Sequence, residues 1–388
     1  MSDDSDVLAE IAAQARRSGH LALDTEFMGE GRYRTLLCLI QLAVPDHTAG
    51  LRIELVDPLQ DPLDGAPLAE VLADPAVEVV VHSGRQDIAL LRRRFQTPIC
   101  NIFDTQIAGG FAGLAAQTSY ETLLAELLGV RLAKSASFTR WDARPLTHEQ
   151  LAYAREDVVH LLELASELQR RLSASGRLQW AREECRALEQ VSDDRHEDEI
   201  FARLPRIRNL SAAAQAIARE LVAWRERTAA AQDRTVQSVL GDAALIELAK
   251  RRPSTPRDLE QIRGFSQGGL RRRGAELLDV VRSAADRPHT PLDRLPRHTP
   301  PDPADAPLVA LCEALVRARA RESDLAYELI AARSDLQAIV AAARSDAPEP
   351  DVRTLHGWRR ELVGGELLEL LDGRVSLSVS EGRLRIGP

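Results

Sequence analysis

Between His20 and about Glu78, short apolar runs alternate with turns: Leu21 to Phe27, Leu36 to Ala43, and Leu51 to Val56 before Asp57-Pro58. Runs of that length bounded by turn residues predict three consecutive strands. Helix-like and strand-like segments then alternate over Leu68 to Ala73, Val77 to Val81, Gln86 to Phe95 and Tyr120 to Leu128. Strands first and βα units afterwards predict a mixed sheet with flanking helices. Thr147 and Gln150 have capping-box spacing, and Leu146 with Leu151 fits the hydrophobic staple around it, so a helix starts there. Its apolar stripe runs through Leu151, Ala154, Val158, Leu161 and Ala165.

From Leu210 the pattern becomes almost wholly helical, around Ala212–Arg225, Gln237–Ala249, Asp258–Ile262 and Gly269–Val281, which predicts a small bundle. Residues 288–307 hold seven prolines, a composition that favours a stiff linker. Beyond it Leu308–Ala320, Tyr327–Ala343 and Trp358–Leu371 again read as helices. Val375 to Val379 alternates like a strand ahead of Glu381-Gly382, as in a hairpin. At about 150 residues per domain, 388 residues make two or three. The boundaries expected are 1–204, 205–288, a linker at 289–307, and a second, degenerate helical unit at 308–388.

Composition adds where the chain works. No apolar run reaches the ~18 residues that span a bilayer, so no membrane partner is expected. The opening Met1 to Asp6 is acidic and polar, unlike a signal peptide. Cys38, Cys100, Cys185 and Cys312 are dispersed with no CxxC pair, which argues against a zinc ribbon or a disulfide framework and for a reducing cytoplasm. The net charge of −9 argues against a general nucleic-acid binder, yet it conceals an asymmetry. Residues 201–290 carry 16 Arg and Lys250 against 10 acids, a local balance of +7. Arg203, Arg206, Arg208, Arg251, Arg252 and Arg271 to Arg273 are therefore candidates for a phosphate-tracking face.

Asp24-Thr25-Glu26 closes the first strand, where period-two geometry puts both carboxylates on one face and Thr25 on the other. Two acids on one face can grip a hard cation. Tyr153 and Asp157 stand four apart on the capped helix, so a phenol and a carboxylate share a face. Asp87 follows His82-Ser83-Gly84, where a strand ends and a helix begins. Each piece has a plain structural reading: dipole compensation for Asp87, strand-end packing for His82, helix capping for Asp104.

Taken together, the motifs resemble the DEDD exonuclease superfamily, Tyr subtype. Leu23 to Phe27, His82-Ser83-Gly84 with Asp87, Phe103-Asp104-Thr105-Gln106, and Arg144-Pro145-Leu146-Thr147 through Tyr153 to Asp157 resemble the ribonuclease D family. Residues 210–283 more weakly resemble the helical domain shared by helicases and ribonuclease D C-termini. The resemblance implies an α/β ribonuclease H-like exonuclease domain followed by two small all-α helical bundles. It implies 3′→5′ hydrolysis of RNA ends to 5′-mononucleotides with two Mg²⁺ or Mn²⁺ ions held by Asp24, Glu26, Asp87 and Asp157, and with Tyr153 orienting the attacking water. Substrates would be transfer-RNA precursors or other small RNAs. Lys134, Trp141 and Arg144 match the family's Lys…Trp…Arg-Pro-Leu stretch and are expected to meet substrate; the plain alternative keeps Trp141 in the core and pairs Arg144 with an acid. Rival readings are a single-stranded DNA exonuclease and a catalytically silent RNA-binding adaptor. No GxxxxGK[ST] loop supports helicase activity.

Overall fold

The chain enters its sheet through a helix that the strand pattern does not announce, α1 (Asp4–Ser18), whose Leu8, Ile11, Ala12 and Ala15 are buried. The computed structural model describes residues 4–60, 63–132, 140–264, 267–285, 302–345 and 347–387. The three expected strands are β1 (His20–Met28), β2 (Leu36–Asp46) and β3 (Gly50–Val56). After α2 (Ala66–Leu72) come β4 (Glu78–Val81), α3 (Arg85–Phe95), β5 (Ile102–Asp104) and α4 (Thr105–Phe111). The sheet order is β3-β2-β1-β4-β5, antiparallel across β3-β2-β1 and parallel across β1-β4-β5.

Alternation along β1 separates two cores. Leu21 and Leu23 pack with α1, α2 and α3. Ala22 faces α4, α5 (Tyr120–Leu127) and the helices that follow. The capped helix is α6 (His148–Val159), and its box is formed as expected. It does not run on to Ala165, the end of the expected stripe: His160 leaves helical geometry (φ −107°, ψ 3°) and α7 (Leu161–Ala174) starts afresh. The stripe keeps its spacing across this break, so periodicity alone does not reveal it. Next is α8 (Leu178–Arg186).

The basic segment builds α9 (Glu197–Ala202), α10 (Ala212–Gln232), α11 (Val236–Val239), α12 (Asp242–Arg251), α13 (Pro256–Glu260) and α14 (Gln267–Ala285). Phe201 and Leu204, ahead of the expected boundary at 205, are buried in its core with Ile217, Leu221, Leu245 and Leu277. Polar contacts tie this unit to the β1–β2 loop. Arg32 Nη1 donates to Asp233 Oδ2 (2.6 Å), the Tyr33 amide to Asp233 Oδ1 (3.2 Å) and the Tyr33 hydroxyl to Glu226 Oε2 (3.0 Å). Arg195 closes on both oxygens of Glu226.

Residues 286–301, most of the proline-rich stretch, lie outside the described residues. The expected linker is shorter than 289–307: Pro303–Asp305 form a 3-10 turn capped by Asp302, and α15 (Ala306–Glu322) already includes Pro307 in its first turn, where a missing N–H costs nothing. With α16 (Tyr327–Ile330), α17 (Arg333–Arg344), α18 (Gly357–Arg359), a π turn at Arg360–Gly364 and α19 (Gly365–Leu371), this unit begins with the same long, short, medium order as α10 to α12. Its core is continuous with the sheet's second face. Trp358 stacks on Trp180 (5.3 Å, 20°), meets Phe111 edge-on (5.0 Å, 78°) and donates from Nε1 to Glu184 (3.0 Å). The terminal hairpin is present as β6 (Ser376–Ser380) and β7 (Arg383–Gly387).

Candidate active site

The C-terminal end of β1 carries Asp24 and Glu26 on one face, and β1 shifts register against β2 between Glu26 and Phe27. Thr25, on the opposite face and 5% exposed, is not idle: its hydroxyl donates to Asp87 Oδ1 in the first turn of α3. The strand thus supplies two acids to one side and holds a third from the other. Asp87 is itself 6% exposed.

The turn that starts α3 is tight. Ser83 sits at φ 55°, and a Cβ on Gly84 would fall 2.5 Å from Val81 Cγ2, so that position needs glycine. Asp104 fixes this turn: its carboxylate accepts from the Ser83 and Gly84 amides (3.0 and 2.9 Å) as well as capping α4 through Gln106 and Ile107. Capping is therefore its role here, and the clamp on the Asp87 turn is an addition that local spacing could not reveal. His82 is a packed strand-end residue, its Nδ1 3.0 Å from Thr105 Oγ1, and burial pushes its pKa down to about 4.

On α6, Tyr153 and Asp157 project toward the same space. Burial, then the charges of Asp87, Asp157 and Glu26, hold Asp24 well above the usual carboxylate range. Burial with Asp157 and Asp87 pushes Glu26 up to about 8, and burial pushes Asp157 up to about 7. Burial also raises Asp87, with the Thr25 hydrogen bond opposing it. Four carboxylates that destabilise one another's charged forms fit divalent cations, which prefer oxygen ligands. Asp157 Oδ2 strengthens the fit, being buried without a hydrogen-bond partner among the described residues. Among those residues no group of three or more His, Cys, Asp or Glu side chains, as they stand, is placed to hold a metal ion. Burial and the carboxylates at Asp157, Glu26 and Asp24 raise the Tyr153 phenol above its ordinary pKa, so it keeps its proton.

The expected substrate contacts fare differently. Lys134 lies outside the described residues. Trp141 is 4% exposed, packed with Cys38, Leu39 and Ala154 and 6.1 Å from the Tyr153 ring, so it supports the site from the core instead of offering a stacking face. Arg144 is committed as well. It bonds both oxygens of Asp57 (2.5 and 2.6 Å) and the carbonyls of Cys38, Trp141 and Ala143, which leaves no fork for a phosphate. The partner is 87 residues away in sequence, which is why the motif alone leaves its role open.

Residues 1–173 match the 3′-5′ exonuclease family and residues 214–281 the HRDC domain. The chain is 34% identical to ribonuclease D of Granulibacter bethesdensis over 384 residues, 98% of this chain and 95% of that one. It is 36% identical to ribonuclease D of Gluconacetobacter diazotrophicus over 97% and 94% of the two chains. This chain belongs to the ribonuclease D family. The crystal structure of Escherichia coli RNase D, described as an exoribonuclease involved in structured RNA processing, superposes with a TM-score of 0.80 at 29% identity, covering 95% of this chain and 97% of that one. Like its ribonuclease D relatives, the protein is a 3′→5′ exoribonuclease with a mixed-sheet exonuclease domain followed by an HRDC helical domain. Among the described residues no helix is long and apolar enough to cross a membrane.

Proposed function

We propose that Asp24, Glu26, Asp87 and Asp157 hold two divalent cations, Mg²⁺ or Mn²⁺, and that the enzyme hydrolyses RNA from the 3′ end to 5′-mononucleotides in the cytoplasm. The orphaned Oδ2 of Asp157, set among carboxylates of raised pKa, is the observation that carries the reading. Asp24 would serve both ions, with Glu26 and Asp157 on one and Asp87 on the other. Two bound cations would offset charge on the attacking and leaving oxygens together. Tyr153, still protonated, is suited to hydrogen-bond the attacking water, and Trp141 steadies its ring. Thr25 and Asp104 keep Asp87 in place.

Transfer-RNA precursors or other small structured RNAs are the proposed substrates, a class supported by the structured-RNA processing ascribed to the Escherichia coli relative. The helical unit is proposed to contact their phosphates, through fewer arginines than its charge suggests. Arg203 pairs with Glu199 and Arg251 with Glu247, while Arg273 is 7% exposed and bonded to the Val239 carbonyl and Gln232. Arg234 and Arg272 stand beside Arg273, and these like charges lower its pKa after burial. A polyanion would relieve that repulsion.

The test is a gel of 5′-labelled RNA and matched DNA, each with an unstructured 3′ tail, incubated with Mg²⁺, with EDTA, and with Asp157→Ala protein. Shortening of RNA from its 3′ end only with metal and intact Asp157 is expected. Preferential trimming of DNA, or RNA retained without cleavage, would overturn the reading in favour of a DNA exonuclease or an adaptor.

A further inference from the structure

Two buried polar atoms of the candidate site lack a hydrogen-bond partner among the described residues: Asp157 Oδ2 and the hydroxyl oxygen of Tyr120. One is an acceptor without a donor and the other carries a proton without an acceptor. Tyr120 belongs to none of the motifs that point to the site. It is the first residue of α5, placed there by Ser119, whose Oγ caps the helix at the Thr122 amide. Its ring tilts against His82 at 5.5 Å, and His82 is anchored in turn by Thr105. The carboxylates of Asp157 and Asp24 are close enough for their charge to oppose ionisation of the phenol, which burial already disfavours. The backbone amide of His160, at the break between α6 and α7, approaches the same oxygen. The start of α5 and the break between α6 and α7 therefore both bring polar groups near Asp157.

Buried polar groups in native proteins are almost always satisfied, and where two such groups lie near one another without touching, an ordered water can complete both. We propose that Tyr120 is a positioning residue for Asp157, its hydroxyl donating through one bridging water to one lone pair of Oδ2, leaving the other free, and fixing the rotamer in which the carboxylate meets a cation. This rests on Asp157 being a ligand. A partner that orients a ligating carboxylate changes metal affinity without touching substrate, by about 10-fold in typical cases.

Tyr120→Phe removes the hydroxyl and keeps the ring against His82. The full chain, wild type and variant, is titrated with Mn²⁺ by calorimetry, assayed on a tailed RNA at low and saturating Mn²⁺, and melted without cation. Expected for the variant is Mn²⁺ binding weakened about 10-fold, kcat reduced at low Mn²⁺ and restored at saturation, an unchanged KM for RNA, and a thermal midpoint close to wild type. Unchanged Mn²⁺ affinity overturns the proposal, whether the defect then shows in KM, which would make Tyr120 a substrate contact, or in the melt, which would make it packing alone. A wild-type protein that binds no Mn²⁺ would overturn the metal reading and this inference with it, so the two failures are told apart by the wild-type titration.

Discussion

Glu26 and Asp157 show what burial, joined by like charge from neighbouring acids, costs the fold when no cation balances it. Their pKa values rise from 4.5 to about 8 and from 3.8 to about 7, so the folded state holds protons that the unfolded chain has released. Stability is then highest below the unfolded values and falls as pH rises through the window from about 4 to about 8. In EDTA the thermal midpoint is expected to drop between pH 5 and pH 8, with Mg²⁺ narrowing the gap. A flat profile would count against the shared site. By the same argument Asp157→Asn abolishes cleavage yet stabilises the cation-free protein, by about 1–3 kcal/mol at pH 8. Chemical denaturation in EDTA checks this, and a less stable variant would contradict it.

Elements explain why some of this was legible in the sequence and some was not. The Asp24-Thr25-Glu26 alternation, the Thr147 capping box and the Tyr153/Asp157 spacing are set by geometry within one strand or one helix, and each stands where its spacing placed it. The break at His160, the Asp104 clamp on the Ser83-Gly84 turn and the Arg144–Asp57 pair depend on groups from other elements, which no local pattern encodes. Arg144 shows the consequence. Its guanidinium ties the segment before α6 to the end of β3, so it positions the helix that carries Tyr153 and Asp157. Arg144→Lys keeps the charge but loses the bidentate fork. It is expected to cost about 2 kcal/mol of stability and to lower kcat, with KM for RNA and its salt dependence unchanged. A KM rise that steepens with salt would instead restore the phosphate contact.

For the whole molecule, the two helical units differ in attachment. The second is joined through a shared apolar core around Trp358, and Trp358→Ala is expected to cost about 3–5 kcal/mol and to lower the melting transition of the exonuclease domain along with its own. Two separated transitions would show that the units fold independently. The prolines suggest a boundary in composition, but composition could not show that the unit beyond them shares a core with the exonuclease domain while the basic unit before them keeps its own. The basic unit's contribution is read from salt. Arg234→Ala with Arg272→Ala is expected to reduce the slope of log affinity against log salt by about 0.7 for each phosphate left without its arginine, with kcat on a saturating short RNA unchanged. An unaltered slope would place the RNA backbone elsewhere on the protein.

The β1–β2 loop gives this difference a further meaning. Arg32 and Tyr33 lie a few residues beyond Glu26 on the same continuous chain, and Asp233 and Glu226 hold them to α10 through charge and hydrogen bonds. The second unit is held by an apolar core with the largely buried Arg359–Glu184 pair inside it. More exposed ion pairs and hydrogen bonds hook the basic unit to this loop, so the hook answers more strongly to the electrolyte around it. A displacement of α10 is thereby coupled to the loop that follows the strand carrying the first two acids.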